Sequence, residues 1–171
     1  MTSGAEARRG ATPNPPSGPN GASFGSVSCP RVGDCLAAGL ASSFTRPHPI
    51  LARLHAGHFR VLPIPGALAG TVPAGVSCRG TSATCELIAE RFDAAAQTSH
   101  TLAVSMNAGT FGAPLSADVA GAGSQLPGGV SCPPAGACAI TGSWRPDARG
   151  NALHPYAEQV TPAGVMLTLA S

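Results

Sequence analysis

Hydrophobic and polar residues in this chain alternate in bursts that stop short of helical length. Phe24 to Cys29 is one such burst, residues 30–34 (Pro-Arg-Val-Gly-Asp) are turn formers, and Cys35 to Gly39 is a second burst. Small residues on both faces of the second burst mark it as an internal strand with neighbours on either side. After a polar connection, Ile50 to His55 and His58 to Leu62 flank Ala56-Gly57, the pattern of a β-hairpin with glycine at the turn. Gly and Pro interrupt every candidate window before the ~10–12 residues that a helix needs. The prediction is therefore four short strands separated by turns.

The same pattern is written three times. Gly25-Ser-Val-Ser-Cys29-x5-Cys35, Gly75-Val-Ser-Cys78-x6-Cys85 and Gly129-Val-Ser-Cys132-x5-Cys138 place their Val-Ser-Cys heads 49 and then 54 residues apart. His48, His100 and His154 open the third strand of each unit, and Ala56-Gly57, Ala108-Gly109 and Ala163-Gly164 close it. Counted on from each histidine, Ile50/Ala52/Leu54, Leu102/Val104/Met106 and Tyr156/Glu158/Val160 fall on one sheet face, apolar in the first two units. Phe59, Phe111 and Met166 stand as bulky anchors two residues past each turn glycine.

Four strands in about 50 residues, repeated with variable connections, are the signature of β-propeller blades. The expected fold is all-β, with three four-stranded antiparallel blade-like repeats of a partial β-propeller, each carrying one intra-repeat disulfide. Residues 1–23 hold no Val, Ile, Leu or Phe and are expected to be a flexible Pro/Gly-rich arm; the repeat domain is 24–171, with units at about 24–65, 73–116 and 128–171. Rings usually close with four to eight blades, so three leave an open edge. The expected partners are accordingly a second copy completing the ring, or missing blades of a longer chain.

Composition explains why such units need staples. Gly and Pro make up 39 of 171 residues and aromatics only 4%, so a core built from this material is thin. Six cysteines allow 15 pairings, and the repeat logic selects the local ones: Cys29–Cys35, Cys78–Cys85 and Cys132–Cys138. Closing a loop of about seven residues is worth roughly 2.4 kcal/mol in the chain-entropy model, or about 7 kcal/mol for three. Zinc prefers C-x2-4-C knuckles with further ligands nearby, which spacings of five and six do not provide. Paired cysteines fit an oxidising compartment, hence an extracellular or cell-surface location.

Charge removes other classes of partner. The net charge is +2 and all ten basic residues are arginine, with no cluster beyond Arg8-Arg9, so neither nucleic acid nor an anionic membrane is indicated. No stretch reaches the ~18 apolar residues of a membrane span. Arg8-Arg9 is followed by no apolar segment, and no targeting signal is visible.

The Cys motifs resemble those of secreted actinobacterial repeat proteins, whose tandem unit is of the type V-S-C-x5-C-x-A-V-G followed by a strand of the type L-A-E-R-W-N-G. The resemblance rests on Val27-Ser-Cys29 to Cys35-Leu-Ala-Ala-Gly39, Val76-Ser-Cys78 to Cys85, and Val130-Ser-Cys132 to Cys138-Ala-Ile-Thr-Gly142, with weaker echoes at Leu51-Ala-Arg53, Ala157-Glu158 and the linker Thr12-Pro-Asn-Pro15. It implies an exported, disulfide-stapled propeller of the sialidase-like or BNR-like kind, with no activity assigned to the repeat. The chain departs from that pattern in having a single tryptophan, Trp144, and three repeats.

Little catalytic chemistry is visible. A sialidase-like glycoside hydrolase needs a Tyr–Glu nucleophile pair, an arginine cluster and Asp-box turns; Tyr156 and Glu158 share a strand face, but no Asp box exists, and a surface-facing strand pair is the simpler reading. His48, His100 and His154 recur by repeat, and each is expected to hydrogen-bond its own turn in preference to building a metal site. Glu86 and Glu90 are expected to alternate outward to solvent. No nucleotide loop, zinc-protease or serine-hydrolase motif occurs, and no cofactor is indicated. The expected function is an exported, non-enzymatic binding or scaffold module for a glycan or protein ligand; the alternatives are the glycoside hydrolase or a fragment of a larger propeller.

Overall fold

The structure, a computed structural model, describes residues 21–43, 46–81, 83–147, 152–161 and 164–168, and for 42–43, 46–47 and 164–168 it describes the backbone alone. Every strand it describes belongs to one of three antiparallel sheets. The first contains β1 (Ala22–Arg31), β2 (Asp34–Ser43), β3 (Arg46–His55) and β4 (His58–Leu62). The second contains β5 (Thr71–Cys78), β6 (Thr84–Asp93), β7 (Thr98–Asn107), β8 (Thr110–Phe111) and β9 (Leu115–Ser116), where β8 and β9 both pair with β7. The third contains β10 (Ser124–Ser131), β11 (Cys138–Arg145), β12 (His154–Thr161) and β13 (Gly164–Thr168). The strands run longer than their apolar bursts because antiparallel pairing satisfies backbone groups past the last buried side chain.

The fold is thus all-β with three disulfides, Cys29–Cys35, Cys78–Cys85 and Cys132–Cys138, each clipping the first two strands of its own sheet together, with Cys132 one residue past the end of β10. The first strand of the first sheet begins at Ala22, just inside the segment expected to be an arm. Residues 1–20 of that arm, including Thr12 to Pro15, lie outside the described residues, as do Ala163 and the side chain of the expected anchor Met166.

Each residue of the Val-Ser-Cys head does one job. A bulge interrupts the first strand of every sheet at the same place, between Phe24 and Ser26, Pro73 and Gly75, and Pro127 and Gly129. Beyond it, side chains alternate strictly between the two sheet faces. Val76 faces the first sheet and is buried with Leu87, Val104 and Met106 against Leu36, Ala38 and Leu51. Ser28 faces the second sheet, where its Oγ accepts the Cys78 N–H at 2.9 Å; Ser77 Oγ accepts the Cys132 N–H at 2.9 Å in the same way. Ser26 Oγ accepts the Val76 N–H at 3.0 Å. At the next joint the equivalent residue is Gly75, where a Cβ would come within 3.3 Å of the Val130 nitrogen, so glycine lets the strands approach directly.

The apolar contacts form two clusters, one between the first and second sheets and one between the second and third, where Ile88 and Ala103 meet Ile140, Tyr156 and Val160. The sets predicted from alternation are confirmed in register: Leu102, Val104 and Met106 all belong to the first cluster, and Tyr156, Glu158 and Val160 are all buried. Gly142 is required by close approach, since a Cβ there would collide with the Leu126 carbonyl and the Tyr156 ring.

The hairpin turns differ from expectation in one respect. Glycine was expected to carry the positive φ, yet Ala56 (φ 49°) and Ala108 (φ 50°) precede Gly57 (φ 82°) and Gly109 (φ 88°) in the left-handed region as well. Both central residues at positive φ define a type I′ turn, the form that matches strand twist, and for alanine this conformation costs roughly 1–2 kcal/mol.

Two stability measurements follow from these contacts. Ser77→Ala leaves the Cys132 N–H without its acceptor and lowers stability by about 1 kcal/mol, a melting shift of about 2–4 °C for a chain of this size. Ala108→Asn, which accepts the left-handed conformation more readily, raises the melting temperature by a similar amount; an unchanged or lower value contradicts the turn assignment.

Candidate functional site

Side-chain chemistry gathers in three places among the described residues. The first is the β3–β4 hairpin. Arg53 and Arg60 stand directly opposite one another, as do His55 and His58. Like charges in opposed positions destabilise a strand pair, and one partial remedy is present. Asp34 receives two hydrogen bonds from Arg53, Nε to Oδ1 and Nη2 to Oδ2, each 2.8 Å, and lies 3.7 Å from His55 Nδ1. The hydrogen bonds from Arg53 hold the Asp34 carboxyl below the usual aspartate value.

Arg53, His55, Ala56, His58 and Arg60 enclose an open depression of about 380 Å³. Beside it, Leu36, Leu62, Met106 and the Cys78–Cys85 bridge line a narrow apolar crevice of about 30 Å³, room for one or two waters and too small for a ligand. The hairpin histidines are exposed, as expected from their place beside the turn.

The second place is a hydrogen-bonded relay on the second sheet. His100 Nδ1 lies 3.0 Å from Asp118 Oδ2, and Thr98 Oγ1 lies 3.2 Å from His100 Nε2. Hydroxyl, imidazole and carboxylate in this order have the outline of a nucleophilic triad. However, the neighbouring main-chain donors that would stabilise an oxyanion are already engaged: Ser99 N–H donates to Ser124 Oγ and Thr101 N–H to Asp118 Oδ1. Ser116 Oγ also donates to Asp118. The relay therefore clasps the segment after β9 onto β7. The histidines were expected to bond their own turns; instead His100 bonds Thr98 within its own strand and a carboxylate 18 residues away, His154 is exposed and packs on Trp144 with ring centroids 4.9 Å apart, and His48 is exposed. No group of three or more His, Cys, Asp or Glu suited to a metal ion occurs among the described residues.

The third place is the joint between the second and third sheets, where two expectations are corrected. Glu86 was expected to face solvent but is only 2% exposed: it points at the third sheet, because Leu87 beside it must point at the first. Ser105 Oγ donates to its Oε2 at 2.7 Å, and Oε1 has no hydrogen-bond partner among the described residues. Burial pushes its pKa up, opposed by the Ser105 hydrogen bond and the charge of Arg79. Glu90 is partly buried and accepts a hydrogen bond from Ser99 Oγ.

Tyr156 and Glu158 likewise form no surface pair, being 4% and 2% exposed. The Tyr156 hydroxyl sits 3.2 Å from Thr101 Oγ1, and burial raises its pKa. Gln125, also buried, accepts the Val119 N–H and donates to the Ala117 carbonyl, both at 2.7 Å. The Tyr156–Thr101 contact was not visible in the sequence, since it joins residues brought together by the packing of two sheets, while the Gln125 bonds tie down the loop that leads into β10.

Folding raises the pKa of Glu86, so the native state binds its proton more tightly than the unfolded chain does. Stability is therefore lost as pH rises from the ordinary glutamate value of 4.5 through the raised native value. Glu86→Gln keeps an acceptor for Ser105 and removes the ionisation. It melts above the parent at neutral pH, and the difference disappears below about pH 4 in melts taken across the acid range.

Comparison of the chain with protein-family models, with curated proteins and with solved structures returned no match.

Proposed function

We propose that this chain is an exported, disulfide-stapled section of a β-propeller-type repeat module that works by binding, and that its ligand is an acidic glycan held at the β3–β4 hairpin. The observation that carries this reading is the opposition of Arg53 to Arg60 and of His55 to His58 around an open depression. One carboxylate, Asp34, offsets Arg53, so the two arginines and this carboxylate leave one positive charge over at the hairpin. A carboxylate or sulfate bridging the two arginines relieves the cross-strand repulsion and gains charge-assisted hydrogen bonds. The depression is shallow and open, which suits a saccharide lying along the surface better than a small molecule enclosed in a chamber.

Three disulfides point to an oxidising, extracellular setting, where glycans are abundant. No helix among the described residues is long and apolar enough to cross a membrane. The propeller reading is supported by the repeated antiparallel sheets and their like joints, and by the resemblance of the Val-Ser-Cys units to secreted actinobacterial repeats. The glycoside-hydrolase alternative loses the residue on which it rested, because the Tyr156 hydroxyl is buried against Thr101 and its pKa is raised.

An array of uronate-, sialate- and sulfate-bearing glycans, with neutral glycans as reference, tests the assignment. Acidic glycans are retained, retention is lost above about 0.5 M NaCl, and Arg60→Ala weakens it by about tenfold. Equal retention of neutral glycans, or none of acidic ones, removes the hairpin as the site.

A further inference from the structure

We infer that the outward face of the first sheet is a docking surface for the outward face of the third sheet of a second copy of this chain. The two joints inside the molecule show what such a contact requires. In each, the following sheet offers the valine of its Val-Ser-Cys head and the apolar positions beside it in register, while the preceding sheet offers a serine hydroxyl to the cysteine N–H.

Among the described residues, the first sheet presents the following half of that pattern to no partner. Val27, the equivalent of buried Val76, is 64% exposed, and Val61 in the same cross-strand row is 47% exposed. Phe24 and Phe59, half-buried on the same face, stack with ring centroids 6.1 Å apart, so this face is apolar. The third sheet presents the preceding half. Ser131 stands where Ser28 and Ser77 stand, and it is exposed together with Ala139 and Thr141. These small side chains leave room for the stacked phenylalanines, where larger ones would clash.

One element of the internal joints is missing. Arg31 Nε donates to the Thr81 carbonyl at 2.8 Å and Arg79 donates to the Gly136 carbonyl, each reaching into the next unit, whereas Pro133 and Pro134 follow the third head. Contact between copies is accordingly weaker than the internal joints and reversible. Two copies bring twice three sheets together, making six, within the four to eight at which rings close. The inference rests on the propeller-type succession of sheets proposed above.

Light scattering coupled to size exclusion, run from about 1 to about 200 µM, reads the association, and a dimer with a micromolar-range dissociation constant is expected. Val27→Arg blocks the first-sheet face and Ala139→Arg the third-sheet face. Both positions are exposed, so the melting temperature of each variant as a monomer is unchanged, and each weakens dimerisation at least tenfold. An equimolar mixture regains one intact joint and associates more tightly than either variant alone. A parent chain that is monomeric throughout overturns the inference, as does a dimer dissolved by Val27→Arg but not by Ala139→Arg, which marks a face-to-face contact of two first sheets. A parent that dimerises only once residues 1–20 are removed also overturns it, since the arm is then the occupant. Failure of the propeller reading shows separately, in small-angle scattering of the Val27→Arg monomer that does not fit three sheets stacked in sequence order.

Discussion

The structure depends on a hydrogen bond that leaves one sheet and ends on the next. Serine in the Val-Ser-Cys head accepts the N–H of the cysteine one unit later, at Ser28 to Cys78 and again at Ser77 to Cys132. An edge strand ordinarily leaves its outward N–H groups to solvent or to a stray partner. Here those groups become the means of stacking. The bond fixes separation and register together, because a slip of one residue would turn every serine away from its acceptor position and every valine out of its cluster. The bulge that recurs ahead of each head sets this phase, so the short motif specifies the local strand and also the joint to its neighbour.

Little else is available to hold the sheets together. Alanine and glycine supply much of the apolar content, and the buried clusters are correspondingly narrow. Covalent closure of each first hairpin compensates by restricting the unfolded chain, with about 2 kcal/mol per bridge as the scale. The same thinness explains the polar groups at the second joint. Glu86, Thr101, Gln125 and Tyr156 lie between sheets, and most of their polar atoms are satisfied by specific partners. The exception, Glu86 Oε1, is a local cost that the surrounding contacts sustain.

Function, on the reading proposed here, lies on the rim while the joints keep the scaffold rigid. The β3–β4 hairpin places two arginines directly opposite one another, an arrangement a strand ladder does not favour for its own stability, with two histidines opposed beside them. Its type I′ turn, with alanine held at positive φ, fixes the mutual orientation of those pairs. The relay of Thr98, His100 and Asp118 has the outline of a catalytic triad, yet the neighbouring main-chain donors of Ser99 and Thr101 are used for structure. Geometry of side chains alone is a poor guide to chemistry when the oxyanion donors are occupied.

The sequence by itself determined the strands, the turns, the three units and the local cysteine pairing, because each is written in spacing: period two for strands, Ala-Gly for hairpins, Val-Ser-Cys for units. It also determined that Leu102, Val104 and Met106 share a face. The neighbour that each face meets was beyond its reach. Glu86 and Leu87 are adjacent in the chain and both are buried, and alternation says only that they point in opposite directions; the second sheet lies between two others, so both directions are interior. Tyr156 and Glu158 became buried because their face of the third sheet meets the second. Asp118 joined His100 through a loop path that no local pattern encodes, whereas the opposition of Arg60 to Arg53 follows from the two-residue hairpin itself. Tertiary structure decided the environments because burial and charge pairing belong to contacts between sheets, while the sequence pattern specifies each sheet one at a time.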